Sequence, residues 1–240
     1  YRGNPTLVIG PETIAQLPLI VQRGADWYTR CGTPTNPGTR LLSVSGCVKK
    51  PGVYEAPIGT SVRDILALAG GPRSGLTVGA VAPGGVGSGI IPPEVFDVAY
   101  DHQSLARVRC HPGNGVILVF PGEMCVVDQV LRHLQFFLEA SCGECVPCRE
   151  GLRQMVEAFR ALTDSRSRSA YERNSLRVSG SPPPFRQLLT ELAETIRWSG
   201  RCGLGRQAVN SFLAMLEHFP EALEDHYIRR ECAKRLCRIK

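Results

Sequence analysis

The sequence predicts an α+β protein, with strands in its first half and amphipathic helices in its second half. Apolar and polar residues alternate over residues 41–45, which is typical of a half-buried strand, whereas from Met124 onwards apolar residues recur at helical spacing. Of the 240 residues, 43% are hydrophobic and 21% are charged, and these ordinary globular values exclude wholesale disorder.

The first half divides into a connector and a small sheet domain. Residues 1–38 are predicted to be the connector, because five prolines leave room only for short helices, one from Thr13 and one at residues 25–28. Residues 39–100 are predicted to form a β-grasp-like domain, with a helix that begins after the capping residue Ser61. Its predicted strands are at residues 41–45, 53–55, 78–81 and 95–98. Residues 101–123 are predicted to be a second connector.

The second half is predicted to be helical. Residues 124–227 are expected to form a small four-helix bundle that carries an inserted, exposed loop at residues 163–184. Its helices are predicted at residues 124–138, from near Cys148, at 185–198 and at 206–218. Residues 228–240 form a basic tail that carries +5 of the formal net charge of +6, so the rest of the chain is nearly neutral. A broad surface for nucleic acid is therefore excluded.

The sequence also indicates where in the cell the protein is located. The best apolar run, at residues 116–120, is far shorter than the roughly 18 residues of a membrane span, so no direct span is predicted. The first residues lack a methionine and the apolar segment of a signal peptide, and we expect a mature piece or a segment of something longer. Closely spaced cysteines favour a metal site in a reducing compartment over a disulfide framework. The expected location is the cytoplasm, including the periphery of a membrane complex.

Ten cysteines are present, and three of them, Cys142, Cys145 and Cys148, form a C-x2-C-x2-C run. Three thiolates on one tight loop suit three corners of a [4Fe–4S] cubane. Cys202 is the best candidate for the fourth ligand, because it lies in a glycine-rich turn just before a predicted helix. Zinc stays open as an alternative, although zinc ribbons use two separated C-x2-C pairs.

Several motifs resemble one family. Residues 139–151 (E-A-S-C-G-E-C-V-P-C-R-E-G) resemble the [4Fe–4S] loop of the NADH-binding flavoprotein subunit of respiratory complex I and of NAD-linked hydrogenases and formate dehydrogenases. Residues 42–55 resemble its soluble-ligand-binding β-grasp (SLBB) segment, and residues 202–205 resemble the loop of its fourth cysteine. The resemblance implies an iron–sulfur relay between a flavin and other clusters of an NADH dehydrogenase-type complex. It also implies redox subunits as partners, including a thioredoxin-like [2Fe–2S] subunit.

The flavin site of that family is not matched as well. The family's N-terminal half, which binds FMN and NADH, has no counterpart in these residues, so FMN and NAD are expected only from a missing domain or a partner chain. Ile9 and Gly10 stand where the family has two asparagines that contact the flavin, and only Val8 and Thr13 keep the family's residue at flavin-facing positions. The resemblance thus implies that cluster binding is kept and FMN binding is weakened or lost. The alternatives are a degenerate, non-catalytic structural subunit and a zinc-binding interaction module.

Six cysteines remain outside the predicted cluster. Cys232 and Cys237 form a C-x4-C pair that could bind zinc together with His226, but exposed pairs of this kind are more often free, and we expect no ligand there. The other four are predicted to pack as small apolar side chains: Cys31, Cys47, Cys110 and Cys125.

Overall fold

The computed structural model describes residues 1–168 and 185–239 and combines helices with a sheet, which confirms the α+β class. One apolar core surrounds the sheet, and a second, larger core lies among the helices. Within these residues no helix is long and apolar enough to cross a membrane.

The N-terminal segment contains two helices and a small hairpin. Helix α1 (Pro11–Arg23) begins at a proline, α2 is Ala25–Tyr28, and the two-residue strands β1 (Gly32–Thr33) and β2 (Asn36–Pro37) pair antiparallel. None of the residues of α1 is buried. The helix is tied to the sheet by Glu12, whose carboxylate accepts a hydrogen bond from the backbone N–H of Leu41 at 2.8 Å.

A four-stranded mixed sheet follows. Its strands are β3 (Thr39–Gly46), β4 (Gly52–Pro57), β5 (Val78–Ala82) and β6 (Val116–Pro121), in the spatial order β4-β3-β6-β5. The central pair β3/β6 is parallel, and the two outer pairs are antiparallel. Helix α3 (Val62–Leu68) is capped by Ser61 as predicted, since the Ser61 hydroxyl accepts the N–H of Asp64 at 3.0 Å.

The strand predicted at residues 95–98 is wrong. A 3₁₀ turn occupies Pro93–Val95, because Pro92 and Pro93 have no N–H to donate to a sheet. The fourth strand is instead β6, which follows the short helix α4 (His102–Arg107). Residues 101–123 were expected to be a connector, yet they contain α4 and a central strand of the sheet.

The rest of the described chain is helical. The helices are α5 (Val126–Ala140), α6 (Val146–Thr163), α7 (Phe185–Ser199), α8 (Gly203–Ala208), α9 (Asn210–His218) and α10 (Pro220–Glu224), followed by a π-helical turn at Asp225–Arg229. The helix predicted at residues 206–218 is thus two helices that meet at Val209. Of the predicted loop, Thr163 ends α6, residues 165–168 are helical, and residues 169–184 lie outside the described residues.

A buried polar contact joins the sheet region to the helices. The hydroxyl of Ser211 in α9 donates to the carbonyl of Ser88 at 3.0 Å and accepts from Nδ1 of His133 in α5 at 2.6 Å. His133 is only 2% exposed, and this burial lowers the pKa of its imidazole to about 4. Within the part of the chain that the structure describes, its Nε2 atom has no hydrogen-bond partner.

Candidate iron–sulfur centre

The loop between α5 and α6 holds three of the four predicted cluster ligands. Gly143 adopts a left-handed conformation (φ 76°), which turns the chain so that the Ser141 hydroxyl accepts the N–H of Gly143 at 3.2 Å. The same hydroxyl lies 3.3 Å from Sγ of Cys148, in the first turn of α6. Cys145 directly precedes α6, and Cys142 is exposed at the outer side of the loop.

The fourth predicted ligand lies on a second segment that faces this loop. Cys202 directly precedes α8 and is exposed. Gly205, within α8, packs against Cys148, since a Cβ atom at Gly205 would lie 3.4 Å from the Cys148 sulfur. Burial raises the pKa of the Cys148 thiol, and repulsion from the thiolates of Cys145 and Cys202 adds to this effect. Cys145, Cys148 and Cys202 therefore come together, and Cys142 lies on the same short loop.

Several groups beside these thiols favour negative charge, although the guanidinium of Arg149 also pairs with Glu150 at 3.1 Å. The backbone N–H of Arg201 faces the Cys145 thiol and lowers its pKa. Arg149 donates through Nη1 to the carbonyl of Gly143 at 2.7 Å, which places a guanidinium beside the loop. Cys145 and Cys148 also lie at the N-terminus of the 18-residue helix α6, where the helix dipole favours negative charge.

The chemistry of this site is that of a sulfur-only ligand set. The four predicted ligands are all thiols, and soft thiolates select iron–sulfur clusters or zinc over hard cations. Two of the four thiols are exposed and one is buried, so a bound group would lie between the helical core and the surface. The residues present therefore fit a four-thiolate cluster.

The two residues predicted to keep flavin contacts are exposed to solvent. Val8 precedes α1 and is 91% exposed, and Thr13, in the first turn of α1, is exposed as well. Ile9, where the family has an asparagine, is half-buried.

The remaining cysteines differ from one another. Cys47 and Cys110 are buried as predicted, and burial raises the pKa of Cys110 to about 12. Cys31 is half-buried. Cys125 is also buried, but its sulfur lies beside His226 rather than only among apolar side chains.

Cys125 belongs to a group of which the sequence indicated only the other three members. The ligand atoms of this group all lie within 4.8 Å of one another; its members are Cys125, His226, Cys232 and Cys237. Burial opposes protonation of His226, but the hydrogen bond and charge of Cys125, together with hydrogen bonds to Ala222 and Cys232, raise the pKa of His226 to about 9. The C-x4-C pair was the only signal of this group in the sequence, because no spacing rule connects Cys125 with a histidine 101 residues later.

Comparison with known proteins agrees with these features. Residues 128–226 match the family model of the NADH-ubiquinone oxidoreductase-F iron–sulfur binding region, and residues 41–85 match the SLBB domain. The chain is 35% identical over 231 residues to the F 2 polypeptide of the NADH-quinone oxidoreductase of Rhizobium meliloti, a match that covers 96% of this chain and 52% of that protein. The chain thus corresponds to the C-terminal part of NADH-ubiquinone oxidoreductase-F proteins.

Two hydrogenase relatives extend the comparison. The chain is 30% identical to the NADP-reducing hydrogenase subunit HndC of Solidesulfovibrio fructosivorans, over 99% of this chain and 46% of that subunit. A crystal structure of an NAD⁺-reducing [NiFe]-hydrogenase in the H₂-reduced state superposes with a TM-score of 0.76 at 28% identity, and covers 97% of this chain and 37% of the hydrogenase chain. The chain spans about half the length of the curated relatives it matches, and it corresponds to their C-terminal part.

Proposed function

We propose that this chain holds a [4Fe–4S] cluster on Cys142, Cys145, Cys148 and Cys202, and that it relays electrons within an NADH dehydrogenase-type complex. The observation that carries the proposal is the convergence of two separate segments, since Cys148 lies against Gly205 while Cys145 faces the backbone of Arg201. The family model that covers both segments describes an iron–sulfur binding region. Such a cluster, when all its irons are bound to protein thiolates, supplies one-electron transfer.

The protein's own contribution is to hold four thiolates together at low cost. Thiolates repel one another, and the N-terminus of α6 and the guanidinium of Arg149 offset part of this repulsion. Gly205 has no side chain and therefore leaves room for the Cys148 sulfur. A larger residue at this position would crowd that sulfur. Because Cys142 and Cys202 are exposed, the group they bind lies close enough to the surface to exchange electrons with a docked partner.

We propose that the flavin and nicotinamide sites are supplied by a further domain or by a partner chain, and not by these residues. The N-terminal surface supports this assignment, because Leu7, Val8 and Val21 are 81%, 91% and 85% exposed and α1 buries no residue of its own. Leu7 and Val8 are adjacent in the sequence, and contiguous exposed apolar side chains mark surfaces that another polypeptide covers. Electrons would then pass from FMN in that portion to the cluster in this chain.

The surface next to the cluster ligands supports docking of a second redox partner, in addition to the portion that carries the flavin. Val146, between two predicted ligands, is 58% exposed, and Trp198, four residues before Cys202, is 76% exposed. Exposed tryptophans are typical anchors of protein interfaces. The partner we propose is a thioredoxin-like [2Fe–2S] subunit, in a complex in the cytoplasm or at the periphery of a membrane.

We infer that the chain has two domains. Residues 39–100 together with β6 would form the SLBB domain, because a parallel central pair flanked by two antiparallel strands is a β-grasp-like topology. Residues 124–227 would form a four-helix cluster domain built on α5, α6, α7 and α9, and residues 228–240 the tail. The segment 1–38 and the remainder of 101–123 would connect them.

Anaerobic purification of the full chain tests this proposal. We expect brown protein with about four irons per chain and an EPR signal after reduction. A Cys202→Ala variant should lose the iron, while the matched control Cys31→Ser should keep it. Colourless wild-type protein with zinc on these thiols would overturn the electron-transfer role, and a cluster that no physiological donor reduces would favour a purely structural role. FMN that co-purifies stoichiometrically with this polypeptide alone would overturn the assignment of the flavin site.

A further inference from the structure

Four potential metal ligands converge at the base of α5, away from the cluster loop. Sγ of Cys125 lies 3.3 Å from Nε2 of His226, and Sγ of Cys237 lies 3.6 Å from the Cys125 sulfur and 3.5 Å from the same nitrogen. Cys232 completes the group, whose ligand atoms all lie within 4.8 Å of one another. Cys125 and His226 are buried, and the other two are half-buried.

We propose that Cys125, His226, Cys232 and Cys237 bind one zinc ion. Three cysteines and one histidine are an established ligand set for structural zinc, with Zn–S bonds of about 2.3 Å and Zn–N bonds of about 2.0–2.1 Å. A tetrahedron with these bonds has S···S edges of about 3.8 Å and S···N edges of about 3.6 Å. The three distances that the structure gives lie within 0.3 Å of these edges.

The orientation of His226 is set for metal binding. Its Nδ1 atom lies 2.8 Å from the carbonyl oxygen of Ala222, which can only accept a hydrogen bond. Nδ1 therefore donates to this carbonyl, and Nε2, which faces the sulfur atoms, is the nitrogen that binds a metal once its proton is displaced. Histidines that ligate metals are commonly fixed in this way by a carbonyl on the far side of the ring.

The position of Cys125 favours a thiolate. Cys125 directly precedes α5, a helix of 15 residues, so its sulfur lies near the free N–H groups and the positive end of the dipole. Asp128 in the first turn is the acidic group nearest in sequence on this helix, and its carboxylate is engaged by Arg132 at 2.8 Å.

A zinc ion would fasten the C-terminal segment, which has little apolar packing apart from Cys232 and Cys237 against the helical core. No residue in the described range 228–239 is buried, and Ile228 and Leu236 are 68% and 59% exposed. Backbone hydrogen bonds attach Arg238 to Thr163 at 2.9 Å and to Ser165 at 3.0 Å. Two such bonds are weak beside the binding free energy of a structural zinc ion.

This group is separate from the proposed cluster site. Three of its four ligands lie outside residues 128–226, the range that matches the iron–sulfur region. A cluster of several irons would hold its ligands farther apart than the 3.3–3.6 Å seen here, which fits a single ion. Cys125, His226 and Cys232 also line an open cavity of about 430 Å³, through which an ion can reach the site.

The test uses the full chain, purified anaerobically together with any partner subunits. We expect about one zinc per chain in addition to the cluster iron, and zinc X-ray absorption that gives three sulfurs at about 2.3 Å and one nitrogen at about 2.0–2.1 Å. A variant with both Cys232→Ser and Cys237→Ser should bind at least about tenfold less zinc and keep its iron. The control Cys31→Ser, a half-buried thiol elsewhere, should keep both metals.

Three results would overturn the proposal. They are zinc below roughly a tenth of an ion per chain in zinc-supplemented wild-type protein, full zinc retention in the double variant, and a mononuclear iron or a Cys125–Cys237 disulfide in place of zinc. Should the double variant not fold, the ligand count from the wild-type spectrum decides the question. Because zinc and iron are measured separately, failure here is distinguishable from failure of the proposed electron relay.

Discussion

The two cysteine groups of this chain are built in opposite ways. The group at Cys142–Cys148 and Cys202 consists of thiols only, spans two facing loops and exposes two of its members. The group around Cys125 includes an imidazole, is compact and buries the ligands at its centre. A redox group has to lie near the surface to exchange electrons, whereas an ion that fastens the chain is best placed inside. The difference in exposure therefore fits the two roles that we propose, electron transfer for the first group and stability for the second.

Removing one ligand from the first group has the largest expected effect and tests whether the two groups bind their metals independently. Cys148→Ala should reduce the iron content from about four per chain to less than one, since a cubane needs its fourth thiolate, and it should leave the zinc content unchanged. Metal analysis of the purified protein measures both. Cys110→Ala is the matched control, because Cys110 is 5% exposed and Cys148 is 4% exposed. Joint loss of iron and zinc in Cys148→Ala, but not in the control, would show that the two groups depend on each other.

Acid should affect the helix that both groups share. His133 in α5 is held neutral with a pKa of about 4, whereas an unfolded chain has the ordinary value of about 6.5. The unfolded state therefore binds more protons between these values, and the free energy of unfolding should fall as the pH drops from about 6.5 to about 4. The loss should reach about 3 kcal/mol at the lower end.

Denaturant unfolding at several pH values measures this dependence. His133→Gln should flatten the slope, while the exposed control His102→Gln should retain it. An unchanged slope in His133→Gln would show that another group is responsible.

A smaller change should perturb only the cluster site. Gly205→Leu would extend side-chain atoms beyond a Cβ position that already lies in contact with the Cys148 sulfur at 3.4 Å, so the iron content should fall partially and the free energy of unfolding should drop by about 1–3 kcal/mol. Gly203→Leu is the control, since a Cβ atom there would meet only Nε2 of Gln207, at 3.9 Å. Equal iron loss in the two variants would argue against close packing at Gly205 as the cause.

The smallest effect is expected on the outer face of α6. Arg153 forms ion pairs with Glu150 at 2.9 Å and with Glu157 at 2.8 Å, and all three side chains are substantially exposed. Solvent screens such pairs, so Arg153→Ala should leave the thermal midpoint and both metal contents unchanged. A clear drop in either metal would show that this surface supports a metal site.

Local signals in the sequence predicted local features well. Ser61 with Asp64 marked the start of α3, and the helical spacing of apolar residues located α5 within two residues of its bounds. The C-x2-C-x2-C run and the turn at Cys202 identified two segments that the structure brings together. These signals work because capping, helical periodicity and tight ligand loops each depend on residues close in the chain.

Features that depend on distant residues were missed. Strand β6 was assigned to a connector because its partner β3 lies far back in the sequence, and parallel pairing leaves no turn signal between the two. Cys125 was assigned to packing for the same reason, since its neighbours His226 and Cys237 lie more than a hundred residues later. The wrong strand prediction at 95–98 has a local cause instead, because the two consecutive prolines that precede these residues argue against a strand there.

The parallel pairing of β3 with β6 also sets the order in which this chain can fold. The β3/β4 hairpin can form early, because its strands are close in sequence. The four-stranded sheet is complete only when β6 pairs with β3, and this pairing requires the closure of a long loop. Non-local pairing of this kind slows folding, and we expect closure of the sheet to be the rate-limiting step. Cys125 lies between β6 and α5, so pairing of β6 also positions one ligand of the proposed zinc site. Completion of the sheet and ordering of that site would thus be coupled.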